Sequence, residues 1–300
     1  MNVLVVGEAL IDIVRDASGG ETARPGGSPF NIAVGLARLE TPATLAAQIG
    51  GDPHGQMLRD VLAASGAALT ALPPSPPRTA TAIATIAADG SASYAFDLTW
   101  NPDHLPDPSG FDAVHVGSIG TVLQPGADVV AAWVAEASAA GAVVSFDPNV
   151  RLSVLDDAAE FRRRFDQIAP YCSLLKMSDE DASVLFGAEP PDEIAARLAA
   201  SGTIAAITLG ADGAVVAHGG HLVRVPAPAI RVVDTIGAGD TFMAAILATA
   251  LAFDRPFDAP WSDEELTTLA HTAVTAAAIN CSREGADPPT RADLTAALGT

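Results

Sequence analysis

The stretch Asp234-Thr235-Ile236-Gly237-Ala238-Gly239-Asp240-Thr241-Phe242 decides how the rest of the chain is interpreted. It runs directly into an apolar segment, residues 243–247. Helical spacing (i, i+3, i+4, i+7) relates Phe242, Ala245, Ile246 and Thr249, which predicts a helix with one packed face after Gly239. The first turn of such a helix exposes free N–H groups, here those of residues 237–240, and with the helix dipole they form an anion site.

Asp240 is the unusual member of this stretch, because a carboxylate at an anion site repels a phosphate unless it has a role there. One interpretation is an ordinary N-terminal capping residue. The other is a base that takes a proton from a hydroxyl while the neighbouring amides hold a phosphoryl group. The residues alone leave both open.

Composition limits the classes of partner. The 300 residues contain 16 Lys and Arg against 36 Asp and Glu, a net charge of −20, which argues against nucleic acid or an anionic membrane surface. The two cysteines, Cys172 and Cys281, suggest neither a disulfide framework nor a zinc site. With no basic leader and no apolar run near the ~20 residues of a membrane span, we expect a cytoplasmic protein.

Short apolar runs alternate with helical patterns along most of the chain. The runs predict strands at 3–6, 43–49, 113–116, 143–146, 173–175 and 204–209, and the helical patterns include 127–140, 158–168 and 179–186. Such alternation indicates a parallel α/β sheet, whose ligands bind beyond the carboxyl ends of the strands. Segments 79–87 and 91–98 differ, because Asp89-Gly90 between them predicts a β-hairpin.

A second glycine-rich loop precedes a helical pattern near the start of the chain. Gly26-Gly27 and Asn31 lie in it, and it lacks the G-x-G-x-x-G fingerprint, which counts against a dinucleotide oxidoreductase. Asp12 is a lone acid in an apolar segment and needs a partner or a ligand, unless it is an exposed residue at a strand end.

These motifs together resemble one family. Residues 234–242 resemble the C-terminal signature of the ribokinase-like (PfkB) carbohydrate kinases, and Gly26-Gly27-x-x-x-Asn31 resembles their N-terminal signature about 200 residues earlier. Residues 147–151, Asp-Pro-Asn-Val-Arg, match a segment of fructokinase-like members, although Asp-Pro-Asn is also a good turn. The resemblance implies a ribokinase-like Rossmann-type α/β sandwich with a central, mostly parallel sheet. It further implies one domain over 1–300 with a small β-sheet lid from about 13–25 and 79–100.

The resemblance also assigns roles to residues. Asp240 would be the catalytic base, and the amides of Gly237, Ala238 and Gly239 would complete the anion site. Substrate would contact Asp12, Gly26, Gly27, Asn31, Arg151 and Phe96, although Phe96 could equally fasten the lid. ATP would contact Lys176, Ser178, Thr208, Gly210, Gly213 and Asn280. Mg²⁺ would reach Asp181 through water, and K⁺ would lie near Asp234, Ile236, Arg283 and Gly285.

Three residues depart from the family pattern. Ser178 and Asp181 stand where the family commonly has Asn-x-x-Glu, and Ser178 is also a natural helix cap. Pro289 stands where some relatives have a serine, which leaves potassium activation open.

The resemblance therefore implies an ATP-dependent kinase that phosphorylates a primary hydroxyl of a small sugar, with fructose the first choice by analogy. A 2-keto-3-deoxygluconate, ribose or nucleoside kinase of the same family remains an alternative. A catalytically silent sugar- or nucleotide-binding protein is the alternative from another class. The expected partners are the sugar and ATP, and a homodimer through the lid would protect the edge of its hairpin.

Overall fold

The computed structural model describes residues 1–16, 18–86 and 92–299. The strands are β1 Val3–Val6, β2 Leu10–Arg15, β3 Glu21–Gly26, β4 Ala43–Ala47, β5 Ala68–Ala71, β6 Ala80–Ile86, β7 Ala92–Asp97, β8 Ala113–Gly117, β9 Val143–Asp147, β10 Leu174–Ser178, β11 Ile204–Thr208, β12 Ala214–His218 and β13 His221–Val225.

The α-helices of these described residues follow in chain order. They are α1 Ser28–Arg38, α2 Pro53–Ser65, α3 Gly126–Ala139, α4 Ala158–Ile168, α5 Asp179–Phe186, α6 Pro191–Ala199, α7 Ala238–Ala252, α8 Asp263–Cys281 and α9 Arg291–Leu298. None of them combines the length and apolar character needed to cross a membrane.

A nine-stranded sheet forms the centre of the molecule, in the order β13-β12-β11-β10-β9-β8-β1-β4-β5. Its strands run parallel from β5 to β11, and β12 and β13 add an antiparallel edge. The predicted mostly parallel α/β sheet is confirmed. Buried residues form one apolar cluster on each face of the sheet, which explains why the central strands are apolar throughout.

A separate four-stranded sheet has the order β3-β2-β6-β7. Its register pairs Asp12 with Arg24 on β3 and with Ala82 on β6, and Ala82 in turn pairs with Phe96 on β7. Asp12, Ala82 and Phe96 therefore share one face, because paired residues point to the same side of a sheet. The predicted Asp89-Gly90 turn lies outside the described residues.

Helix α7 was expected to pack through one face, and this prediction is wrong. Nearly every residue from Asp240 to Leu251 is buried, with only partial exposure at Thr249. The helix packs against both α1 and α8, so it is enclosed by neighbours on several sides. Its many alanines allow those neighbours to approach closely. A helix that is apolar on all sides is typical of a buried position.

Strand β10 is longer than predicted. It extends to Ser178, so Lys176 lies within the strand. The sequence had suggested that Lys176 lies in the loop after the strand. Lys176 is only 3% exposed and pairs with the equally buried Asp147 on β9. A lysine is normally exposed, so its presence in the sequence indicated the end of the strand. The acidic partner that allows it to be buried is distant in sequence.

Candidate active site

Two cavities adjoin at the carboxyl ends of the parallel strands. The larger has a volume of about 710 Å³ and the smaller about 350 Å³. Asn149, Arg151, Ala238 and Gly239 line both of them. Two ligands could therefore bind side by side, with the glycine-rich loop between them.

The loop turns sharply into α7 at Gly237. Its φ of +74° is left-handed, and a Cβ there would lie 2.7 Å from Cβ of Ala286, so glycine is required twice over. The N–H of Ala238 was predicted to be free, but it donates to the carbonyl oxygen of Thr235. The amides of Gly237, Gly239 and Asp240 donate to no other group in the described part of the chain. They retain the anion-binding capacity expected of a helix N-terminus.

The carboxylate of Asp240 is held at both oxygens by the start of α1. The hydroxyl of Ser28 donates to Oδ1 and the amide of Asn31 donates to Oδ2, each at 2.7 Å. Asp240 lines the smaller cavity but is only 9% exposed. Asn31, predicted as a sugar contact, therefore also orients the predicted base, and Ser28 does so without having been predicted.

Two further carboxyl groups, Glu8 and Asp12, line the smaller cavity. Burial raises the pKa of Glu8 to about 7. Asp12 is exposed on its strand and faces the cavity, where partial loss of water and the charge of Asp240 raise its pKa to about 6. Gly26 and Gly27 leave room for them: a Cβ on Gly26 would clash with the carboxylate of Asp12, and one on Gly27 would lie 2.8 Å from the carbonyl oxygen of Glu8.

A buried ion pair lies beneath the glycine-rich loop. Nζ of Lys176 donates to Oδ2 of Asp147 at 2.8 Å, and a Cβ on Gly239 would lie 2.9 Å from that Nζ. Burial alone would lower the pKa of Lys176, but the charges of Asp147, Asp181 and Asp240 raise it. The loop thus rests on an ammonium group, which adds positive charge where an anion would bind.

Ser178 and Asp181 form a capping box at the start of α5, which confirms Ser178 as a helix cap. Oδ1 of Asp181 accepts the N–H of Val150 at 2.8 Å, and Oδ2 accepts the N–H of Ser178 at 3.0 Å. Both oxygens are therefore engaged. In the described residues no group of three or more His, Cys, Asp or Glu could hold a metal ion. These side chains do not fit direct ligation of Mg²⁺.

The predicted potassium region is partly assembled. Asp234 accepts the N–H groups of Ile236 and Gly285, at 3.0 and 2.9 Å, and so brings these residues together. The side chain of Arg283 instead reaches Asp287 and Asp293.

Asn280 lies next to this region and is completely buried. Its Nδ2 donates to the carbonyl oxygen of Ile236 at 2.8 Å, and its Oδ1 has no hydrogen-bond partner in the described structure. It does not line the larger cavity, where it was predicted to meet ATP. Asn280 therefore supports the loop that carries Ile236, and one of its two polar atoms is left without a partner in the described structure.

The remaining predicted residues divide between the two cavities. The larger one is lined by Lys176, Ser178, Asp181, Thr208, Gly210 and Gly213, and the smaller one by Asp12, Gly27, Asn31, Phe96 and Ile236. Sequence reasoning missed Glu8 and Ser28. An acid two residues after a buried strand was the available signal for Glu8, by the same rule that places ligands at strand ends.

A helix N-terminus with free amides and a carboxylate beside it, placed between two adjoining cavities, is the arrangement expected of an enzyme that transfers an anionic group between two bound substrates. The chain belongs to the pfkB family of carbohydrate kinases, whose family model matches residues 1–293.

Individual relatives agree with this family. A fructokinase of Klebsiella pneumoniae is 31% identical over 263 residues, which is 85% of this chain and 86% of the relative. The structure of fructokinase from Vibrio cholerae O395 with fructose, ADP and calcium ion has a TM-score of 0.83 at 27% identity, and covers 99% of this chain and 98% of its own. Aminoimidazole riboside kinase from Salmonella enterica has a TM-score of 0.80 at 25% identity, and the match covers 99% of this chain and 100% of that one. The predicted ribokinase-like fold and sugar phosphotransferase class are confirmed.

Proposed function

We propose that this enzyme is a fructokinase that transfers the terminal phosphoryl group of ATP to a primary hydroxyl of fructose. The observation that carries this proposal is the charge of the smaller cavity. Its described ionisable side chains are three carboxyl groups, Glu8, Asp12 and Asp240, and one guanidinium, Arg151. Carboxylates accept hydrogen bonds from sugar hydroxyls but repel anions. A neutral sugar fits such a cavity better than 2-keto-3-deoxygluconate or a sugar phosphate, and the fructokinase relatives support the same choice.

In the proposed mechanism the two cavities have separate roles. ATP occupies the larger cavity with its terminal phosphate at the amides of Gly237, Gly239 and Asp240, above Lys176. Asp240 accepts the proton of the sugar hydroxyl as the oxygen bonds to phosphorus and ADP leaves. A weak base suffices, because the transition state of phosphoryl transfer is loose and needs little proton removal beforehand. Positioning and electrostatics therefore supply most of the rate enhancement.

We propose Mg²⁺ as the ion that accompanies ATP, because the charges of the nucleotide phosphates require a divalent cation to screen them. Because both oxygens of Asp181 accept backbone N–H groups, this residue would meet the ion only through water. We also propose K⁺ at the loop of Asp234, Ile236 and Gly285, where Oδ1 of Asn280 lacks a partner in the described structure.

We further propose that residues 1–300 form one domain and that the four-stranded sheet closes over the sugar as a lid, with segments at about 13–25 and 79–100. Phe96 lines the smaller cavity from this sheet, and its ring stacks on that of Tyr94 at 6.5 Å. Tyr94 is largely exposed. A homodimer through this sheet would cover that aromatic surface and protect the edge strands.

The same aromatic pair favours a second candidate, a riboside kinase. Phe96 lines the smaller cavity and could stack on the heterocycle of a neutral nucleoside, with Tyr94 packed against its ring. The similarity to the aminoimidazole riboside kinase structure supports this alternative.

The proposal is tested by ADP release with ATP, Mg²⁺ and K⁺. The acceptor panel is fructose, ribose, aminoimidazole riboside, adenosine, 2-keto-3-deoxygluconate and fructose-6-phosphate. We expect turnover with fructose, and a loss of about 10²- to 10⁴-fold in the Asp240→Asn variant with ATP binding retained. Preference for an anionic acceptor would overturn the charge argument, and full activity of Asp240→Asn would overturn the base. Saturable ATP binding without turnover on any acceptor would favour a silent binding protein.

A further inference from the structure

Glu8 links the smaller cavity to a strained turn. It follows β1, and its Oε2 accepts the N–H of Gly120 at 3.0 Å. Gly120 belongs to the 3₁₀ turn Ser118–Thr121, which follows the neighbouring strand β8. Ser118 in this turn has a φ of +52°, in the left-handed region that a residue with a side chain rarely adopts. One carboxyl oxygen of Glu8 therefore holds a turn that forms part of the cavity wall.

The carboxyl group of Glu8 is buried without a compensating cation. It is 6% exposed and forms no ion pair within the described residues. Burial and the negative charge of Asp240 disfavour its ionisation, and hydrogen bonds from its own backbone, the side chain of Ser118 and the N–H of Gly120 offset this only in part. Burying an uncompensated carboxyl group costs free energy. Groups with this kind of perturbed environment concentrate at functional sites, and Glu8 lines the smaller cavity. Neither sequence signature of the family includes it.

We propose that Glu8 determines the specificity for the sugar: Oε2 fixes the Ser118–Thr121 turn, and Oε1 accepts a hydrogen bond from a hydroxyl of the bound sugar. This inference rests on the proposed function, in which the smaller cavity takes a neutral sugar. A carboxyl group favours a hydroxyl donor at this point and rejects an anionic substituent. The other charged groups that line the described cavity are Asp12, Asp240 and Arg151.

The test compares Glu8→Gln with Glu136→Gln, a matched change on the exposed face of α3. Glutamine keeps the size of the side chain, and its carbonyl oxygen can still accept the N–H of Gly120. It then presents an NH₂ donor to the cavity in place of an acceptor. We expect Glu8→Gln to raise the KM for the sugar by about 10- to 100-fold, the effect of losing a hydrogen bond to a charged group. The KM for ATP should stay within about twofold, and kcat should change far less than the sugar KM.

A pH series separates substrate contact from a purely structural role. In the unaltered enzyme the sugar KM should fall as pH rises from 6 to 8.5, because ionised Glu8 is the stronger acceptor. This dependence should be reduced in Glu8→Gln and unchanged in Glu136→Gln. Glu8→Asp retains the charge but withdraws the oxygens by one methylene, so its sugar KM should rise while the pH dependence remains.

The outcomes distinguish this inference from the proposed function. If fructose is turned over and Glu8→Gln leaves its KM and pH dependence unchanged, the role of Glu8 is wrong and the fructokinase proposal stands. If another neutral sugar is the acceptor, the fructokinase proposal is wrong and the same variants test Glu8 on that sugar. If only anionic acceptors are turned over, both are wrong.

Discussion

Replacing Glu8 with glutamine should change how the free energy of unfolding depends on pH. Burial raises the pKa of this carboxyl group from 4.5 to about 7 in the folded protein. One pKa unit corresponds to about 1.36 kcal/mol, so ionisation of Glu8 costs the folded state about 3 kcal/mol. Below pH 4.5 the group is protonated in both states and this cost is absent. As pH rises to 7 and above the cost is incurred fully, so stability is lost across this window.

Glu8→Gln removes the ionisation and with it the loss. We expect the free energy of unfolding of the variant, relative to the unaltered enzyme, to increase by up to about 3 kcal/mol between pH 4.5 and 7.5. Equilibrium denaturation by urea at several pH values, without ligands, measures this difference. The comparison is differential, so Asp12, whose pKa is also raised, contributes equally to both proteins. Glu136→Gln provides the control. Parallel stability curves for Glu8→Gln and the unaltered enzyme would refute the reasoning.

Three further predictions concern the buried ion pair, the donor to Asp240 and the cation site. Lys176→Met should destabilise the fold by about 3–5 kcal/mol, because it leaves the carboxylate of Asp147 charged and buried. Adding Asp147→Leu should recover stability but not activity. Thermal melting measures the stability of these variants, and ADP release measures their activity. Ser28→Ala removes a donor to Asp240 and should lower kcat about tenfold with the KM for ATP unchanged; an unaltered kcat would mean that Asn31 alone orients the base. Replacing K⁺ by tetramethylammonium should lower turnover, and equal rates in both salts would contradict a cation at Asp234.

Local signals in the sequence specified much of the fold. Strand β1 and helices α4 and α5 have the predicted bounds, because an unbroken apolar run, an Asp or Ser cap and a helical apolar pattern are all encoded within a few residues. Helix α7 was located correctly but its complete burial was not predicted. A helix rich in alanine can pack through one face or through several, and only its tertiary contacts decide which of these occurs.

The site was predictable where it consists of backbone and motif, and less so where it depends on distant partners. The glycine-rich loop and its adjoining cavity were expected. The pair of Lys176 with Asp147 joins two strands that only the folded sheet brings together. Asn280 likewise supports Ile236 from α8, although its sequence position suggested a nucleotide contact. Side-chain partners of this kind depend on topology, which no local pattern records.

The enclosure of α7 has a mechanical consequence for catalysis. Its N-terminus carries Asp240 and the amides, while α1, α8 and the central sheet surround its length. A tilt of this helix would break packing along the largest apolar cluster of the molecule. The proposed base and the free amides of the loop are therefore held in fixed positions. Any movement that closes the site over the two substrates must come from elements other than α7. Mutations in those elements can change the rate of closure without displacing Asp240 or the amides beside it.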